Sequence, residues 1–559
     1  MKDVTVQAFD YDNGGKYIAA YIVSDEQVDI KDLNAFIGKQ KPSYMIPAAT
    51  MQIDAIPLNQ NQKVNKKALP APVIQAADHE YVEPANDTER LFCKVFSEVL
   101  SMDKIGATDN FFELGGTSLM VTKVIIEADK AGHHVAYGDV FTHPSPRLLA
   151  QFVTGDTPVE NTDEEVMGFD YSGIDAILQQ NRVETFVKGE RQQLGNVLLT
   201  GATGYLGIHV LRELIDTDAP TITCMVRGKD QQAAEHRLKN LLFYYFEKSY
   251  KELFGTRIFV VNGDVTQALT ALGLDKIDTV FNCAANVKHF SKGTDIEDVN
   301  IGGAQRCVEF CLKTGAQLVH VSTTSIGELW ILDGTSDEVP KLDERKFWFG
   351  QFLDNRYIHS KFLAERLVLD AVAHHGLRGK IMRVGNLAPR SYDGEFQINF
   401  NTNSYMGRLK VFYTLGCCSY DDYDELTEMS PIDETARAVV LLATTPKECT
   451  VFQPFNNHTE LFGDILKLMK KVGRDIRFVE PEEFEKVLAE VGQDPEKAKL
   501  LSAMMAYQDM AHGQKTSIIE RDNRYTNAVL YRLGFHWSDT SWDYVDRLLT
   551  AISGFGYFE

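Results

Sequence analysis

The stretch "NVLLTGATGYLG", residues 196–207, joins a short apolar run to three closely spaced glycines. The apolar run predicts a buried strand, and the segment "IHVLRELI" directly after it predicts a helix. Glycines between a strand and a helix let backbone N–H groups and the helix N-terminus approach a pyrophosphate. We therefore predict a dinucleotide site, with contacts from Gly201, Thr203, Gly204, Tyr205, Leu206 and Gly207.

The alternation of strand and helix continues along the chain after this stretch. The segments "TITCMVRG", "RIFVVNGD", "TVFNCAA" and "QLVHVSTTS" are each typical of a buried strand, and other residues separate them. Such alternation predicts a parallel sheet with helices on both faces, which is a Rossmann-type α/β fold. At roughly 150 residues per domain, the chain should hold about three or four domains.

Positive charge follows the second of these predicted strands, which ends in "CMVRG". An acidic residue near this position binds the ribose hydroxyls of NAD, whereas cations suit the 2′-phosphate of NADPH. Arg227, Lys229 and Arg237 therefore predict NADPH; ordinary surface cations on the following helix are the alternative. Such folds line the adenine and the middle of the cofactor with residues that here are Asp264, Val265, Ala284 and Ala285.

A second candidate cluster centres on Tyr357 and Lys361, which lie one helical turn apart on the same face. A free tyrosine titrates near ~10, and a lysine cation beside it stabilises the phenolate and eases proton donation. The segment "HVSTTSIG" ends a predicted strand and supplies hydroxyls from Thr323 and Thr324. His359, between the tyrosine and the lysine, is expected to serve packing or the surface. The cluster predicts a proton donor.

The stretch "DNFFELGGTSLM", residues 109–120, places Ser118 after two glycines at the start of a predicted helix. The glycines allow a tight turn, and the helix N-terminus favours a phosphodiester on the serine. The stretch resembles the carrier-protein motif, and "DVFTHPSPRLLAQF" further on fits the end of a carrier helical bundle. The resemblance implies that Ser118 carries covalent 4′-phosphopantetheine. The alternative is a serine that only caps the helix.

Before the carrier segment, "KYIAAYIV" predicts a strand and "VDIKDLNAFIGKQ" a helix. The stretch "SYMIPAATMQIDAIPLNQNQKVNKKALP", residues 43–70, resembles the end of an adenylation domain of a nonribosomal peptide synthetase. In that family the lysine of an Asn-Gly-Lys-Val motif contacts the adenylate, which implies this role for Lys63. Gln62 replaces the glycine of the motif. We expect the small C-terminal subdomain without the large ATP-binding core, so Lys63 would have no partner here.

The glycine loop, the strand-end threonines and the Tyr-x-x-x-Lys pair together resemble the extended short-chain dehydrogenase/reductase family. The resemblance implies Thr323 as the active hydroxyl and Tyr357 as the proton donor. It implies that Lys361 positions the ribose and tunes the tyrosine. The segment "MRVGN" matches the part of the family that closes over the nicotinamide, which implies cofactor contacts from Gly385 and Asn386.

An adenylation tail, a carrier and a reductase in this order resemble the terminus of a nonribosomal peptide synthetase with a thioester reductase domain. The implied domains are a small α+β adenylation subdomain (1–74), a helical-bundle peptidyl carrier (85–154) and a large α/β thioester reductase (174–559). Within the reductase, the resemblance implies a Rossmann-type NADP-binding core at 194–398. Residues 399–559 are expected to form mainly a smaller substrate-binding lobe.

The resemblance implies NADPH-dependent release of a carrier-bound peptidyl or aminoacyl thioester as an aldehyde, which a second hydride would turn into an alcohol. It implies a phosphopantetheinyl transferase, an upstream adenylation core and upstream synthetase modules as partners. Carboxylic acid and aminoadipate reductases share this domain order. A redox-neutral cyclising domain, which typically lacks the tyrosine, is another alternative. A non-enzymatic dinucleotide sensor would need neither the Tyr–Lys pair nor a carrier.

The composition argues against several other classes. A net charge of −22 disfavours nucleic acid or an anionic membrane as a partner. No run approaches the ~20 apolar residues of a membrane span, and the N-terminus lacks the apolar core of a signal peptide. The eight cysteines form no CxxC pair and no zinc pattern. We therefore expect a reducing, cytoplasmic environment and no metal site.

Overall fold

The computed structural model divides the chain into two compact units, Met1–Val159 with Glu485–Gly513, and Glu160–Phe484 with Gln514–Glu559. The residues that the structure describes are 2–10, 16–38, 47, 49–57, 64–72, 81–154 except 101, 103, 113, 117, 134 and 136, 164–331 except 275 and 288–293, 339–492 except 354, 401 and 402, and 516–558.

The N-terminal part of the first unit is a small α+β fold. Its elements are β1 (Asp3–Asp10), β2 (Lys16–Val23), α1 (Ile30–Gly38) and β3 (Ala49–Gln52). The three strands form one sheet in which β1 and β2 are antiparallel and β2 and β3 are parallel. The predicted strand and helix are thus confirmed. Lys63 lies outside the described residues.

Among the described residues of 81–154, four helices follow: α2 (Asp87–Leu100), α3 (Ser118–Lys130), α4 (Tyr137–Thr142) and α5 (Pro146–Thr154). At the start of α2, Asn86 Oδ1 accepts the Glu89 N–H at 2.8 Å, which satisfies one of the free donors of the helix N-terminus. Phe92 and Phe96 of α2 are fully buried, and the ring of Phe96 lies 4.8 Å from that of Phe111. This is the predicted helical bundle.

The second unit begins with three short helices and continues as the predicted alternation. Its first half contains α6 (Glu164–Met167), α7 (Ser172–Leu178), α8 (Val183–Lys188), β4 (Val197–Thr200), α9 (Tyr205–Ile215), β5 (Ile222–Val226), α10 (Gln231–Phe246), β6 (Ile258–Asn262), β7 (Thr279–Asn282), α11 (Asp295–Thr314), β8 (Gln317–Thr323), β9 (Leu329–Ile331), β10 (Lys341–Leu342), α12 (Arg356–His375) and β11 (Gly379–Val384).

Its second half contains shorter strands between helices. These elements are β12 (Leu387–Ala388), α13 (Ser404–Leu415), β13 (Cys417–Ser419), β14 (Leu426–Glu428), β15 (Ser430–Pro431), α14 (Ile432–Ala443), β16 (Val451–Phe452), β17 (Thr459–Leu461), α15 (Phe462–Leu468), β18 (Arg477–Val479), α16 (Pro481–Gly492), β19 (Thr516–Ile518), β20 (Glu520–Arg521), α17 (Arg524–Arg532) and α18 (Trp542–Gly554).

The central sheet has seven strands in the order β16-β11-β8-β7-β4-β5-β6, and every neighbouring pair is parallel. Strand β4 pairs with β5 on one side and β7 on the other, so the strand order reverses there. Ligands of open α/β sheets bind outside the carboxyl ends of the strands at such a reversal. The predicted Rossmann-type fold is confirmed, and its topology selects one edge of the sheet for the site.

Alternate residues of the central strands enter two separate hydrophobic cores, one on each face of the sheet, because side chains of a strand alternate in direction. Val197 and Leu199 of β4 enter one core, whereas Leu198 enters the other. Strand β16 extends the sheet beyond β11, and α14 packs on α9. The core therefore draws on residues from well beyond position 398.

The remaining strands of the second unit form two-stranded sheets: β12 with β15, β13 with β18, β14 with β17, β9 with β19, and β10 with β20. Strands β9 and β10 precede β11 in the sequence, and the other strands of these pairs follow it. A smaller substrate-binding lobe formed mainly by residues 399–559 stays a prediction. In the part of the chain that the structure describes, no helix has both the length and the apolar character needed to cross a bilayer.

Candidate active site

The glycine loop connects β4 to α9 at the carboxyl edge of the sheet. Gly201 has a φ of +71°, and a Cβ built on it would lie 2.5 Å from the Ala284 backbone nitrogen. A Cβ on Gly207 would lie 2.1 Å from the Gly201 carbonyl oxygen. A side chain would clash with backbone at both positions, so glycine is required for the loop to fold against β7 and α9.

The loop leaves room for a dinucleotide at Gly204, the N-cap of α9. Gly204 has an extended conformation and makes no side-chain capping hydrogen bond. A Cβ on it would meet a single backbone atom, the Gly201 oxygen at 3.2 Å. A cleft of about 680 Å³ opens beside the loop, lined by Thr203, Ala233, His236, Arg237, Asn240, Leu241, Ile398 and Asn399. An uncapped helix N-terminus at an open cleft fits a pyrophosphate.

Two arginines meet at the carboxyl end of β5. Arg237 of α10 donates Nη1 to the Arg227 carbonyl oxygen at 3.1 Å, and the Arg227 guanidinium lies 3.5 Å from Asp264 Oδ2. Burial lowers the pKa of Arg237, and the Arg227 cation lowers it further. Lys229 is exposed two residues after Arg227. Two neighbouring arginines, of which only Arg227 lies near a carboxylate, leave an excess of positive charge, which suits a phosphate.

The other predicted cofactor residues lie around the same edge. Asp264 Oδ1 accepts the Thr266 N–H and hydroxyl at 2.9 Å, which fixes its carboxylate after β6. Val265 is buried, with its side chain against α11 near Gly303. Ala284 is half-buried and Ala285 is exposed after β7. The structure therefore brings the ends of β4, β5, β6 and β7 to one edge.

Thr323 and Tyr357 form a hydrogen-bonded pair at the end of β8, which lies on the opposite side of β4 from β5. Thr323 is the last residue of β8, and its Oγ1 accepts the Ser325 N–H at 3.1 Å. Its hydroxyl also hydrogen-bonds the Tyr357 phenol. The adjacent Thr324 hydroxyl accepts a hydrogen bond from Arg521 Nη1 at 3.1 Å. The tertiary structure thus pairs Thr323 with Tyr357 and Thr324 with the strand β20.

Burial raises the pKa of Tyr357 to about 12, and the hydrogen bond with Thr323 opposes that rise. Burial therefore dominates the pKa of the resting phenol, and the expected effect of the neighbouring lysine on its ionisation stays a prediction. The phenol is held in its protonated form near neutral pH. It can donate a proton only when an acceptor in the site becomes strongly basic.

Lys361 lies one turn after Tyr357 on α12 and is 3% exposed. Its Nζ donates to the Val321 carbonyl oxygen of β8 at 2.5 Å. Burial lowers the pKa of Lys361 to about 8, and the nearby Glu365 and Cys283 act in the opposite direction. A buried ammonium aimed at a strand end is a charged donor for a polar ligand at this edge.

A fully buried ion pair lies next to the segment of α12 that carries Lys361. Glu365, one further turn along α12, and Arg383 of β11 are both fully buried, with 2.6 Å between Arg383 Nη2 and Glu365 Oε1. Ser322 Oγ donates to Glu365 Oε2 at 2.6 Å, and Arg383 Nη2 also donates to the Lys346 carbonyl at 3.0 Å. These bonds satisfy both charges and connect α12 to β8 and β11, which fixes the helix that carries Tyr357 and Lys361.

The segment Gly385–Asn386 follows β11 directly. The Asn386 N–H donates to Glu428 Oε2 at 2.7 Å, and its carbonyl accepts the Ser430 N–H at 2.9 Å. A Cβ on Gly385 would lie 2.6 Å from Glu428 Oε2, so a side chain there would displace the carboxylate. The predicted nicotinamide segment is thus held by Glu428 and Ser430.

In the first unit, Ser118 is the first residue of α3. Each of the two glycines before Ser118 is required for a different structural reason. Gly115 has a φ of +97°, and a Cβ on Gly116 would lie 2.4 Å from the Phe111 ring. The glycines therefore let the chain turn tightly over the core of the bundle and start α3 at the serine.

Two family profiles match the chain: one described as Male sterility protein over residues 199–439, and one described as Phosphopantetheine attachment site over residues 90–153. The solved thiolation-reductase di-domain of an archaeal non-ribosomal peptide synthetase is 35% identical, covers 86% of this chain, and is matched over 100% of its own length with a TM-score of 0.76. The chain belongs to the thiolation-reductase family of nonribosomal peptide synthetases. The predicted family, phosphopantetheine and a nicotinamide cofactor are confirmed.

Longer curated relatives of this thiolation-reductase protein show the same likeness. A linear gramicidin synthase of Brevibacillus parabrevis is 27% identical over 514 residues, which are 88% of this chain. The large subunit of the L-2-aminoadipate reductase of Candida glabrata is 25% identical over 558 residues, or 91% of this chain. The matched parts are 10% and 40% of those proteins, respectively, so this chain spans less than half of either relative.

Sequence reasoning missed four charged residues around the site of this thiolation-reductase protein. Glu365 had an available signal, because it lies four residues after Lys361 and thus on the same helix face. Arg383 also had one, since it is part of the quoted segment "MRVGN". Glu428 and Arg521 reach the site from strands far along the chain, and no local pattern indicates them.

Proposed function

We propose that the second unit releases a carrier-bound peptidyl or aminoacyl thioester by NADPH-dependent reduction to an aldehyde. The observation that carries this proposal is the hydrogen-bonded pair Thr323–Tyr357, with buried Lys361 one turn away, at the same sheet edge as the glycine loop. A protonated phenol beside a dinucleotide loop is suited to acidifying the oxygen of a carbonyl under reduction.

The cofactor, when bound, supplies the hydride that the acyl carbon receives. Thr323 and Tyr357 donate hydrogen bonds to the carbonyl oxygen, which gains negative charge as the reaction proceeds. The phenol is protonated at rest, and the developing alkoxide is basic enough to take its proton. The resulting hemithioacetal breaks its C–S bond, which yields an aldehyde and the free thiol of the carrier arm.

Lys361 has two roles in this proposal. Its ammonium stabilises the phenolate that remains on Tyr357 after proton transfer, and it holds the ribose hydroxyls of the cofactor. Both roles need the charged form of the amine. The buried Glu365–Arg383 ion pair fixes α12 against β11, so that the lysine and the tyrosine keep their positions in the site.

The remaining predicted residues are proposed to bind NADPH. The backbone of Gly201, Thr203, Gly204 and the first turn of α9 would hold the pyrophosphate, and Arg227, Lys229 and Arg237 the 2′-phosphate. Asp264, Val265, Ala284 and Ala285 would line the adenine and the middle of the cofactor, and Gly385 and Asn386 the nicotinamide.

We further propose that Ser118 carries the phosphopantetheine arm, which a phosphopantetheinyl transferase attaches and which presents the thioester. The small α+β fold before the carrier is proposed to be the C-terminal subdomain of an adenylation domain, with Lys63 as its adenylate-contacting lysine. The boundaries 1–74, 85–154 and 174–559 stay proposals, as do an upstream adenylation core and upstream modules.

Two acyl groups are compatible with the proposal, a peptide and a single amino acid, and the similar aminoadipate reductase is named for an amino acid. A redox-neutral cyclising domain is disfavoured because it has no use for the proton donor Tyr357. Mass spectrometry of the product from an acyl-loaded carrier, with NADPH absorbance followed in parallel, separates these cases. We expect one NADPH consumed per aldehyde, or two per alcohol. Product release without NADPH oxidation would contradict the proposal.

A further inference from the structure

Glu428 is a buried carboxylate that rests on the predicted nicotinamide segment. It is the last residue of β14 and 3% exposed. Its Oε2 accepts the Asn386 N–H at 2.7 Å, and its Oε1 accepts a hydrogen bond from Ser430 Oγ. The 2.6 Å between Oε2 and a Cβ built on Gly385 shows that the carboxylate occupies the space beside that glycine.

Arg521 of β20 connects the same region to the threonine corner. Its Nη1 donates to Thr324 Oγ1 at 3.1 Å, one residue from Thr323. Its guanidinium lies 5.7 Å from the centre of the Phe455 ring, and Phe455 Cβ lies 2.6 Å from the Cβ built on Gly385. Burial raises the pKa of Glu428, and the Arg521 cation is the largest opposing influence. Glu428 and Arg521 thus approach the Gly385 segment and the Thr324 corner from two different strands.

Glu428 is not needed to join strands β12 and β15, which lie next to it. Strands β12 and β15 already pair, with Leu387 opposite Ser430, and the Ser430 N–H bonds the Asn386 carbonyl. An apolar residue in place of Glu428 would avoid the free-energy cost of burying a charge. A charged residue at this position is better explained by the site than by stability.

We propose that Glu428 and Arg521 are positioning residues of the reductase: Glu428 sets the Gly385–Asn386 backbone on the cofactor side, and Arg521 sets the Thr324 corner beside the proton donor. The inference rests on the proposed function, because it assigns these two residues to opposite sides of the reaction. Glu428 acts through backbone that would contact the nicotinamide. Arg521 acts through the strand end that carries Thr323.

The two roles predict opposite kinetic signatures. Glu428→Ala removes the acceptor of the Asn386 N–H, so NADPH affinity should fall by about ten- to a hundredfold, the range of a lost charge-assisted hydrogen bond. Glu428→Gln retains an acceptor oxygen and should recover most of that affinity. Arg521→Met should keep NADPH affinity near that of the wild type, while kcat falls about tenfold; Arg521→Lys should recover part of kcat.

The matched control is Glu344, another buried glutamate of this unit, which is 2% exposed. Its Oε1 accepts hydrogen bonds from the Thr526 N–H, at 3.0 Å, and from the Thr526 hydroxyl. Glu344→Ala and Glu344→Gln should lower the melting temperature without separating KM from kcat. The measurements are cofactor fluorescence titration, steady-state kinetics on an acyl-pantetheine thioester, and thermal unfolding without cofactor.

Two results would overturn the inference. One is Glu428 and Arg521 variants with wild-type affinity and kcat. The other is a parallel loss of affinity and kcat that follows the melting temperature as in the Glu344 variants, since that pattern indicates a purely structural role. A wild-type chain that oxidises no NADPH with any thioester would refute the proposed function instead. The titration still tests Glu428 in that case, because it measures binding alone.

Discussion

Tyr357 is the residue on which the proposed chemistry depends most directly. Tyr357→Phe keeps the ring but removes the acid and one donor to the carbonyl oxygen. The rate of reduction should therefore fall by about 10²–10⁴-fold, the usual contribution of general acid catalysis. NADPH affinity should barely change, because the phenol does not hold the phosphates. Single-turnover NADPH oxidation with an acyl thioester measures the rate, and His359→Ala on the same helix is the control, expected near wild type.

Lys361 gives the proposed reaction a pH dependence. Its pKa is lowered from 10.5 to about 8 by burial, so the ammonium loses its proton as the pH rises through about 8. Since both proposed roles need the cation, the single-turnover rate should decline above that pH. The unfolded chain binds more protons than the folded one between about pH 8 and 10.5, so this group makes folding more favourable as pH rises there.

Lys361→Arg separates the two effects, because the guanidinium stays charged across this pH range. Its rate, although lower overall, should show no decline between about pH 8 and 9.5, since an arginine side chain keeps its proton there. A wild-type rate that stays level over the same interval would argue against a titrating Lys361. Thermal unfolding at each pH checks that folding does not account for the decline.

Arg227 is expected to decide between the two nicotinamide cofactors. Its side chain is largely exposed, beside Arg237 and within 3.5 Å of Asp264, so it is free to reach a phosphate. Arg227→Ala should weaken NADPH binding by about ten- to a hundredfold, which corresponds to the roughly 1.5–3 kcal/mol of a hydrogen bond to a charged group. NADH affinity in the same variant serves as the internal control and should hardly change. Equal wild-type affinity for both cofactors would refute the assignment.

At the level of the element, the strand–loop–helix unit β4–α9 separates a structural glycine from a binding glycine. A Cβ at Gly207 would meet the Gly201 backbone at 2.1 Å, so Gly207→Ala should destabilise the fold by about 1–3 kcal/mol, the usual cost of overpacking. A Cβ at Gly204 has a single neighbour at 3.2 Å. Gly204→Ala should therefore lower the melting temperature much less than Gly207→Ala does, and it should weaken NADPH binding.

The comparison uses thermal unfolding without cofactor and cofactor titration on the same two proteins. If Gly204→Ala binds NADPH as the wild type does, the cofactor does not approach the loop at that residue. If Gly207→Ala is as stable as Gly204→Ala, the close packing of the loop on itself is not a constraint on the fold.

At the level of the whole molecule, the carrier and the reductase should be separable in function. Ser118→Ala should lose the single phosphopantetheine arm seen by intact mass after treatment with a phosphopantetheinyl transferase. The same variant should reduce a free acyl-pantetheine thioester at the wild-type rate, because the serine takes no part in the reduction. An arm that persists in Ser118→Ala would place the attachment at another residue.

The sequence by itself determined the elements and the chemistry that depends on local spacing. The glycine spacing between an apolar run and a helix specified β4, its loop and α9, because only glycine allows backbone to pack so closely there. Tyr357 and Lys361 lie on one helix face through a four-residue spacing, which the helical repeat fixes. The glycines before Ser118 likewise specify the turn that starts α3.

The tertiary structure decided what depends on contacts between distant parts of the chain. Thr323 hydrogen-bonds Tyr357, whereas the neighbouring Thr324 hydrogen-bonds Arg521. The positions of β8, α12 and β20 relative to one another decide which threonine takes which partner. A local sequence pattern does not distinguish the two threonines. Burial, which no local pattern reports, raises the pKa of Tyr357. Glu428 approaches the nicotinamide segment only because β12 and β15 pair across about forty residues.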